Sequence, residues 1–326
     1  MDSLSQFLLG AAIGQTFFTN ESRLKGFLLG GAFATLPDLD VFLNHSENFV
    51  EQLKTHRGFS HSLIFCFLIP FIAALIRPFL GLKLFSYWTS YLFFFLVFST
   101  HIFLDVLTSW GTQIFWPLSH RVSLDSLFII DPLLTLPLLI GCLLQLIFAK
   151  KPYVYSGLFF CFFYCLFAIS AHSYMTYLFK DAFVQKDIHI EKILVRPTPF
   201  NTLFWSATVL SKDQLFTGHA RIWDRKNEVT FSKGLARNSQ RLNAFQHLKD
   251  ADYLLSLTRG FYVLDRDHFI IRDARFDNLG SWLYPSNPIF VFNYHYLAQN
   301  QRWQQNRPTI QNIKELLTSL FQRIFS

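Results

Sequence analysis

Along the chain, hydrophobic positions fall into long unbroken runs up to about residue 180 and into short alternating or periodic stripes after it. A bilayer-spanning helix needs roughly 20 mostly apolar residues. Four stretches reach that length: about 62–80, 84–104, 127–149 and 154–179. Two shorter apolar segments, about 4–18 and 24–36, precede them and carry Gly10-Ala11-Ala12-Ile13-Gly14 and Gly26-Phe27-Leu28-Leu29-Gly30. Small residues four apart share one helix face and let two backbones approach closely in lipid. These segments are therefore expected to be short or re-entrant helices packed against the spans.

Beyond Lys180 the pattern changes. Alternating or β-rich runs at Leu203–Leu210, Leu215–Trp223, Phe261–Leu264, Phe269–Phe276 and Ile289–Tyr294, with turn residues between them, predict strands. Leu242, Phe245, Leu248 and Leu255 predict a helix between Ser239 and Leu257, and Ile310, Ile313, Leu317, Leu320 and Ile324 a final one. The expected fold is an α-helical membrane domain, residues 1–185, followed by a smaller soluble α+β domain, residues 190–326.

Composition supports the membrane class. Of 326 residues, 51% are hydrophobic and only 16% charged, 40 are Phe, and the mean hydropathy is +0.27, too apolar for an ordinary soluble enzyme. Met1-Asp2-Ser3 lacks the basic stretch of a cleaved signal peptide, so the chain is expected to stay anchored. Cys66, Cys142, Cys161 and Cys165 all lie inside the predicted spans as small apolar filler, which argues against disulfides and a cysteine-based zinc site. The net charge of +7 suits anionic headgroups. No basic run interleaved with aromatics forms a nucleic-acid module, and no oligomeric state follows from the pattern. If both short helices cross, Arg23, Lys25, Arg77, Lys83, Lys150 and Lys151 share one side, expected to be cytoplasmic. The loops around 37–61 and 105–126, and everything after 180, are then expected in the periplasm.

Ionisable residues concentrate at three places bordering the spans: Leu36-Pro37-Asp38-Leu39-Asp40, His56-Arg57-Gly58-Phe59-Ser60-His61 and His101-Ile102-Phe103-Leu104-Asp105. A chain that leaves by one helix returns by the next, so His56/His61 and His101/Asp105 reach the same membrane face. His101 and Asp105, four apart, project together from a helix. Imidazole nitrogens and carboxylate oxygens are good ligands for zinc and related metals. The candidate ligands are His56, His61, His101 and Asp105, with Asp38 and Asp40 as further ligands or proton-handling carboxylates. Arg57 and Arg121 on that face are candidates to steady an anionic group, or else anchors at the headgroups. A lone histidine at a helix end is usually structural; six such groups beside apolar spans weigh toward function. His45 reads as a solvated loop residue. Asp125 and Asp131 flank the start of a span, where Asp131 before Pro132 equally suits a helix start.

These segments resemble a family of bacterial inner-membrane metal-dependent hydrolases described as LexA-regulated. The likeness runs through Asp2-Ser3-Leu4-Ser5-Gln6, Leu9-Gly10-Ala11-Ala12-Ile13-Gly14, the Pro37-Asp38-Leu39-Asp40 turn and His56-Arg57-Gly58-Phe59-Ser60-His61-Ser62. It continues through His101 with Asp105, Thr108-Ser109-Trp110-Gly111-Thr112-Gln113, Ile129-Ile130-Asp131-Pro132-Leu133, and Arg196-Pro197-Thr198-Pro199-Phe200-Asn201 with Trp205. The resemblance implies a membrane location and a metal, and names a class rather than a reaction. It also implies an acidic residue where Gln15 stands, so that Gln15 would weaken the site or offer its carbonyl oxygen.

The expected function is a hydrolase in which a divalent ion, zinc first and manganese or iron next, activates water against an ester or phosphoester of a lipid or lipid-linked substrate. Two alternatives stand beside it. One is a membrane transporter using the same residues, for which His172 is the clearest ionisable residue inside a span. The other is a non-catalytic scaffold with a structural metal.

Overall fold

The computed structural model describes all residues except 44, 45, 47, 81, 84, 279, 280, 283–288, 309–312 and 326, and the side chains of 43, 277 and 278. His45, Leu84 and Ile310 of the sequence reading thus lie outside the described residues. The chain divides into two compact units: Met1–His45, Lys54–Ser170 and Pro199–Asn201 form the first, and Ser46–Leu53, Ala171–Thr198 and Thr202–Ser326 the second.

The first unit is helical. Helix α1 (Ser3–Phe17) starts on Asp2, whose carboxylate accepts from the Ser5 N–H at 3.0 Å. Helix α2 (Arg23–Ala34) packs antiparallel to it through the glycine faces. A Cβ on Gly26 would sit 2.7 Å from the Gly14 carbonyl oxygen, and one on Gly10, Gly14 or Gly30 would run still closer into the opposite helix. Only hydrogen fits there, which is what glycines four apart permit.

A 3-10 turn (Leu36–Leu39), the short helices α3 (Asp40–Leu43) and α4 (Phe49–Thr55), and a second 3-10 turn (Phe59–His61) lead to α5 (Leu63–Leu75), which is capped by Ser62. Helix α6 (Tyr87–Leu107) returns antiparallel to α5. Helix α7 (Pro132–Phe148) starts on the Asp131 cap with Pro132 in its first turn, and α8 (Pro152–Gln185) follows. Phe93, Phe94, Phe98 and Leu104 of α6 are fully buried in the core of this unit.

Among the described residues, two helices, α6 and α8, are long and apolar enough to cross a bilayer, and α5 adds a third span if it is joined to the segment before it across a 56° bend. Two of the four expected spans, those of α5 and α7, shorten for identifiable reasons. Helix α5 stops at Leu75 rather than residue 80, because Pro78 disfavours helix at Arg77. Arg77 instead donates to the carbonyls of Ala74 and Phe85 at 3.1 Å each. Helix α7 has 17 residues, about 26 Å at the usual rise. Its start is fixed by Pro132, which fits the first turn of a helix.

The two ends of this unit are tied by different groups. At one end Arg23 donates to the Leu146 carbonyl at 2.9 Å, Lys151 to that of Thr16 at 2.8 Å, and Phe85, held by Arg77, packs on Phe18. At the other, the Asp2 N–H donates to Ile129, Ser5 and Thr135 share a hydrogen bond, and Leu63 pairs with Ile114. Arg23, Arg77 and Lys151 thus lie opposite the loops that carry the His/Asp cluster, whereas Arg57 and Arg121 lie beside the cluster.

The second unit is α+β. Its first sheet runs β1 (Lys192–Pro197), β2 (Phe204–Ser211), β3 (Gln214–Arg221) and β4 (Thr230–Phe231), with β5 (Leu235–Ala236) also on β3; all pairings are antiparallel. Met175, Phe179 and Phe183 of α8 cover Val195, Trp205 and Val209. Helices α9 (Leu242–Gln246) and α10 (Ala251–Leu257) replace the single helix expected over 239–257, because Asp250 takes the left-handed conformation at φ 64° and breaks the run. The second sheet is β6 (Tyr262–Asp265), β7 (Ile270–Asn278), β8 (Phe290–Leu297) and β9 (Arg302–Asn306), also antiparallel, and α11 (Ile313–Phe325) ends the chain. His172 belongs to this unit, its ring 6.1 Å from that of Trp205.

Candidate metal centre

The centre is built where the loops meet the end of α6. His101 and Asp105 lie in the last two turns of that helix, four residues apart and both buried. A carboxylate near a helix C-terminus opposes the macrodipole, so Asp105 is a residue that helix stability alone would not select. Its Oδ1 accepts from Arg57 Nη2 at 3.0 Å, from Gln6 Nε2 at 3.2 Å and from the Met1 amino group. Its Oδ2 is buried without a hydrogen-bond partner and points at His61 Nε2, 3.1 Å away.

His61 ends the 3-10 turn before α5, and Asp38 sits in the turn after α2. His61 Nε2 is 3.2 Å from His101 Nε2 and 3.3 Å from Asp38 Oδ1, and His101 Nε2 is 3.6 Å from Asp38 Oδ1 and 3.9 Å from Asp105 Oδ2. One donor atom from each of these four residues thus lies within 4.8 Å of the others.

Hydrogen bonding fixes which way the His61 imidazole is protonated. Asp40 Oδ2 accepts from the Ser60 hydroxyl at 2.9 Å, so that hydroxyl has no proton left for its other neighbour. Ser60 Oγ must accept from His61 Nδ1, 2.8 Å away. With Nδ1 as donor, the second nitrogen of the neutral imidazole carries a lone pair, the form in which histidine ligates a metal. His61 Nε2 therefore aims a lone pair at two carboxylate oxygens and another imidazole nitrogen. A single proton relieves one of these contacts; a cation relieves all of them. Tetrahedral bonds of about 2.0–2.1 Å place ligand atoms about 3.3–3.4 Å apart, close to the three separations at His61 Nε2, while His101 Nε2 stands further from the two carboxylates, at 3.6 and 3.9 Å. Two carboxylates and two neutral imidazoles also balance a divalent charge. The four donors could therefore hold a divalent metal ion.

Asp40 and His56 stand beside this group rather than in it. His56 Nδ1 is 2.9 Å from Asp40 Oδ1, and its ring centroid is 6.3 Å from that of His61. Asp40 Oδ2 also accepts the Arg57 N–H at 2.9 Å. Burial works to raise the Asp40 carboxyl's pKa, but the bonds from His56 and Arg57 outweigh it and hold the group below its ordinary value. Burial likewise opposes Asp38, but the neighbouring imidazoles of His101 and His61 hold its carboxyl well below the usual carboxylate range.

Arg57 is buried and takes a left-handed backbone at φ 56°. Such strain in a residue with a side chain costs of order 1–3 kcal/mol, and here it is held by Asp40 and by the Gln113 N–H, which donates to the Arg57 carbonyl at 3.0 Å. Besides Asp105, its guanidinium donates to Thr108 Oγ1 at 3.4 Å, and its Nε is buried with no partner. Arg121 is used differently: it donates to the carbonyls of Gly111 and His56 at 3.2 and 2.9 Å, bracing the backbone of the His56 loop.

Gln6, Ser60 and Thr108 were not singled out from sequence as site residues. Gln6 gave one usable signal, an amide inside an apolar helix, and it also donates to the His101 carbonyl at 3.2 Å. Gln15 stands nine residues further along α1, about 13–14 Å by helical rise, and donates to the Cys142 carbonyl at 3.3 Å. The expectation that it enters the centre is corrected by that distance. Asp131 caps α7 and accepts from the Tyr164 hydroxyl at 2.7 Å.

The family described as YdjM inner membrane protein matches residues 1–175, which include all four clustered donors with Asp40, His56 and Arg57. No curated protein and no solved structure matches the chain.

Proposed function

The chain belongs to the YdjM inner membrane protein family, and from that premise we propose that it is a membrane-bound, metal-dependent hydrolase. The observation that carries this reading is the convergence of four ligand atoms, His61 Nε2 facing His101 Nε2, Asp38 Oδ1 and Asp105 Oδ2 at 3.1–3.3 Å, with His61 Nδ1 occupied by Ser60. His61, His101, Asp105 and Asp38 would hold the ion, zinc in preference to manganese or iron. A divalent ion there supplies Lewis acidity and lowers the pKa of a bound water toward neutrality.

The remaining groups divide the other tasks. An ionised Asp40 only accepts hydrogen bonds, so His56 donates through Nδ1 and keeps Nε2 as a base. His56 is 27% exposed at its side chain, which suits a group that takes a proton from water and returns it to a leaving group. Arg57 offers its unpartnered Nε to an anionic oxygen while its other nitrogens hold Asp105 and Thr108. Arg121 keeps the His56 backbone in place.

The substrate we favour is an ester or phosphoester of a lipid or lipid-linked molecule, since the cluster borders membrane-length helices. The basic residues at the opposite end argue for a cytoplasmic face there and a periplasmic face for the cluster. Helix α8 begins beside Lys151 at the basic end, so one crossing delivers the chain after it to the cluster's side, and the α+β unit is proposed as periplasmic.

The test is metal analysis of detergent-purified protein beside His61→Ala and Asp105→Ala, followed by turnover assays on phospholipids and generic phosphoesters with the metal-loaded wild type. Wild type should retain an ion that both variants lose, and turnover should follow the ion. Equal, negligible metal in all three ends the proposal. Reporter fusions at the C-terminus test sidedness: an active cytoplasmic reporter reverses the orientation.

A further inference from the structure

We propose that α11 lies on an anionic lipid surface with Phe321 and Phe325 inserted among the lipids, making it a second membrane contact of the chain. Leu320 and Ile324 bury one face of this helix against Phe204 and Trp282. The neighbouring face is apolar as well. Leu317, Phe321 and Phe325 follow at four-residue steps, each advancing about 40° around the axis, so they form one continuous stripe with Lys314 in the same sector. Phe321 is 55% and Phe325 74% exposed, while Leu317 is partly covered. Single exposed apolar residues are ordinary; a run of them beside an already buried face calls for an occupant.

Lipid is the occupant the rest of the chain favours. The protein is anchored by membrane-length helices. Charge agrees: the chain carries +7, and α11 exposes Lys314 and Arg323 against one acid, Glu315. Phenylalanines flanked by cations on an amphipathic helix are the pattern of an interfacial helix on anionic headgroups. This inference does not depend on the metal centre.

The experiment uses the full chain in nanodiscs. Phe321→Cys, Phe325→Cys and Glu315→Cys each carry a nitroxide; the four native cysteines are buried, and the unsubstituted protein serves as the blank. Collision rates with oxygen, which concentrates in lipid, are compared with those of a water-soluble nickel chelate. In phosphatidylglycerol-containing discs the oxygen-to-nickel ratio should be several-fold higher at 321 and 325 than at 315. In pure phosphatidylcholine that difference should shrink. Labels at 321 and 325 as open to nickel as the one at 315 would overturn the proposal. So would labels shielded from both reagents, which would indicate a protein surface instead.

Discussion

Ser60→Ala tests whether the imidazole of His61 is held in its ligating form by the loop it sits on. The serine hydroxyl donates to Asp40 at 2.9 Å and accepts from His61 Nδ1 at 2.8 Å. Removing it leaves His61 with Asp40 Oδ2 as its nearest remaining acceptor on that side, 3.6 Å away and beyond good hydrogen-bonding distance. The ring is then free to rotate or to carry its proton on Nε2, where it blocks the lone pair. Loss of a partner that orients a ligating histidine typically weakens metal binding 10–100-fold, or about 1.4–2.7 kcal/mol. The fold should lose only about 1 kcal/mol, the net worth of an ordinary hydrogen bond. Competition between the purified protein and a chromogenic chelator reads the affinity directly, and thermal unfolding reads the stability. His61→Ala should abolish high-affinity binding, and His56→Ala, outside the four donors, should leave it nearly unchanged. Wild-type affinity in Ser60→Ala, or equal losses in His56→Ala and His61→Ala, would refute the argument.

Two further outcomes follow from other parts of the molecule. Asp40 has a folded pKa below its ordinary value, so its stabilising contribution is present above the unfolded carboxylate pKa, about 3.9, and is lost as pH falls through the lower folded value. The thermal stability lead of wild type over Asp40→Asn should therefore be widest near neutrality and close on acidification; a lead independent of pH would remove the ionic account of the Asp40–His56 pair. Gly14→Ala pushes a methyl into the Gly26 backbone, where neither helix can yield without separating. It should cost at least the 1–3 kcal/mol of ordinary overpacking, read as a lowered unfolding midpoint in detergent, and an unchanged midpoint would contradict the close approach of α1 and α2.

What the sequence makes legible here depends on whether a residue's direction is set locally. On a helix it is: His101 and Asp105 four apart had to face one way, and glycines four apart had to make a flat face, so both features could be read before any coordinates. Return of the chain from α5 to α6 was equally legible, and it places His61 beside His101. Direction in a loop is set by tertiary partners instead. His56 and His61 were equivalent as candidates, yet the left-handed turn at Arg57 and the 3-10 turn at Phe59–His61 bring only His61 among the donors and pair His56 with Asp40. Arg121 looked like an anion binder by type, but it is the carbonyls of Gly111 and His56 that take its protons. Gln6 was hidden for the opposite reason, since its partners His101 and Asp105 lie some 95 residues away in sequence. Strand β9 escaped notice because Trp303 is its one apolar residue, and it forms by pairing with β8 at the sheet edge. The features that could not be read are those in which a polar side chain answers a partner distant in sequence. In this chain such partners collect around Asp105, the carboxylate whose place near the end of α6 runs against the helix's own dipole. A residue kept where its element would reject it has to be explained by what surrounds it, and Asp38, His61 and His101 are what surround this one.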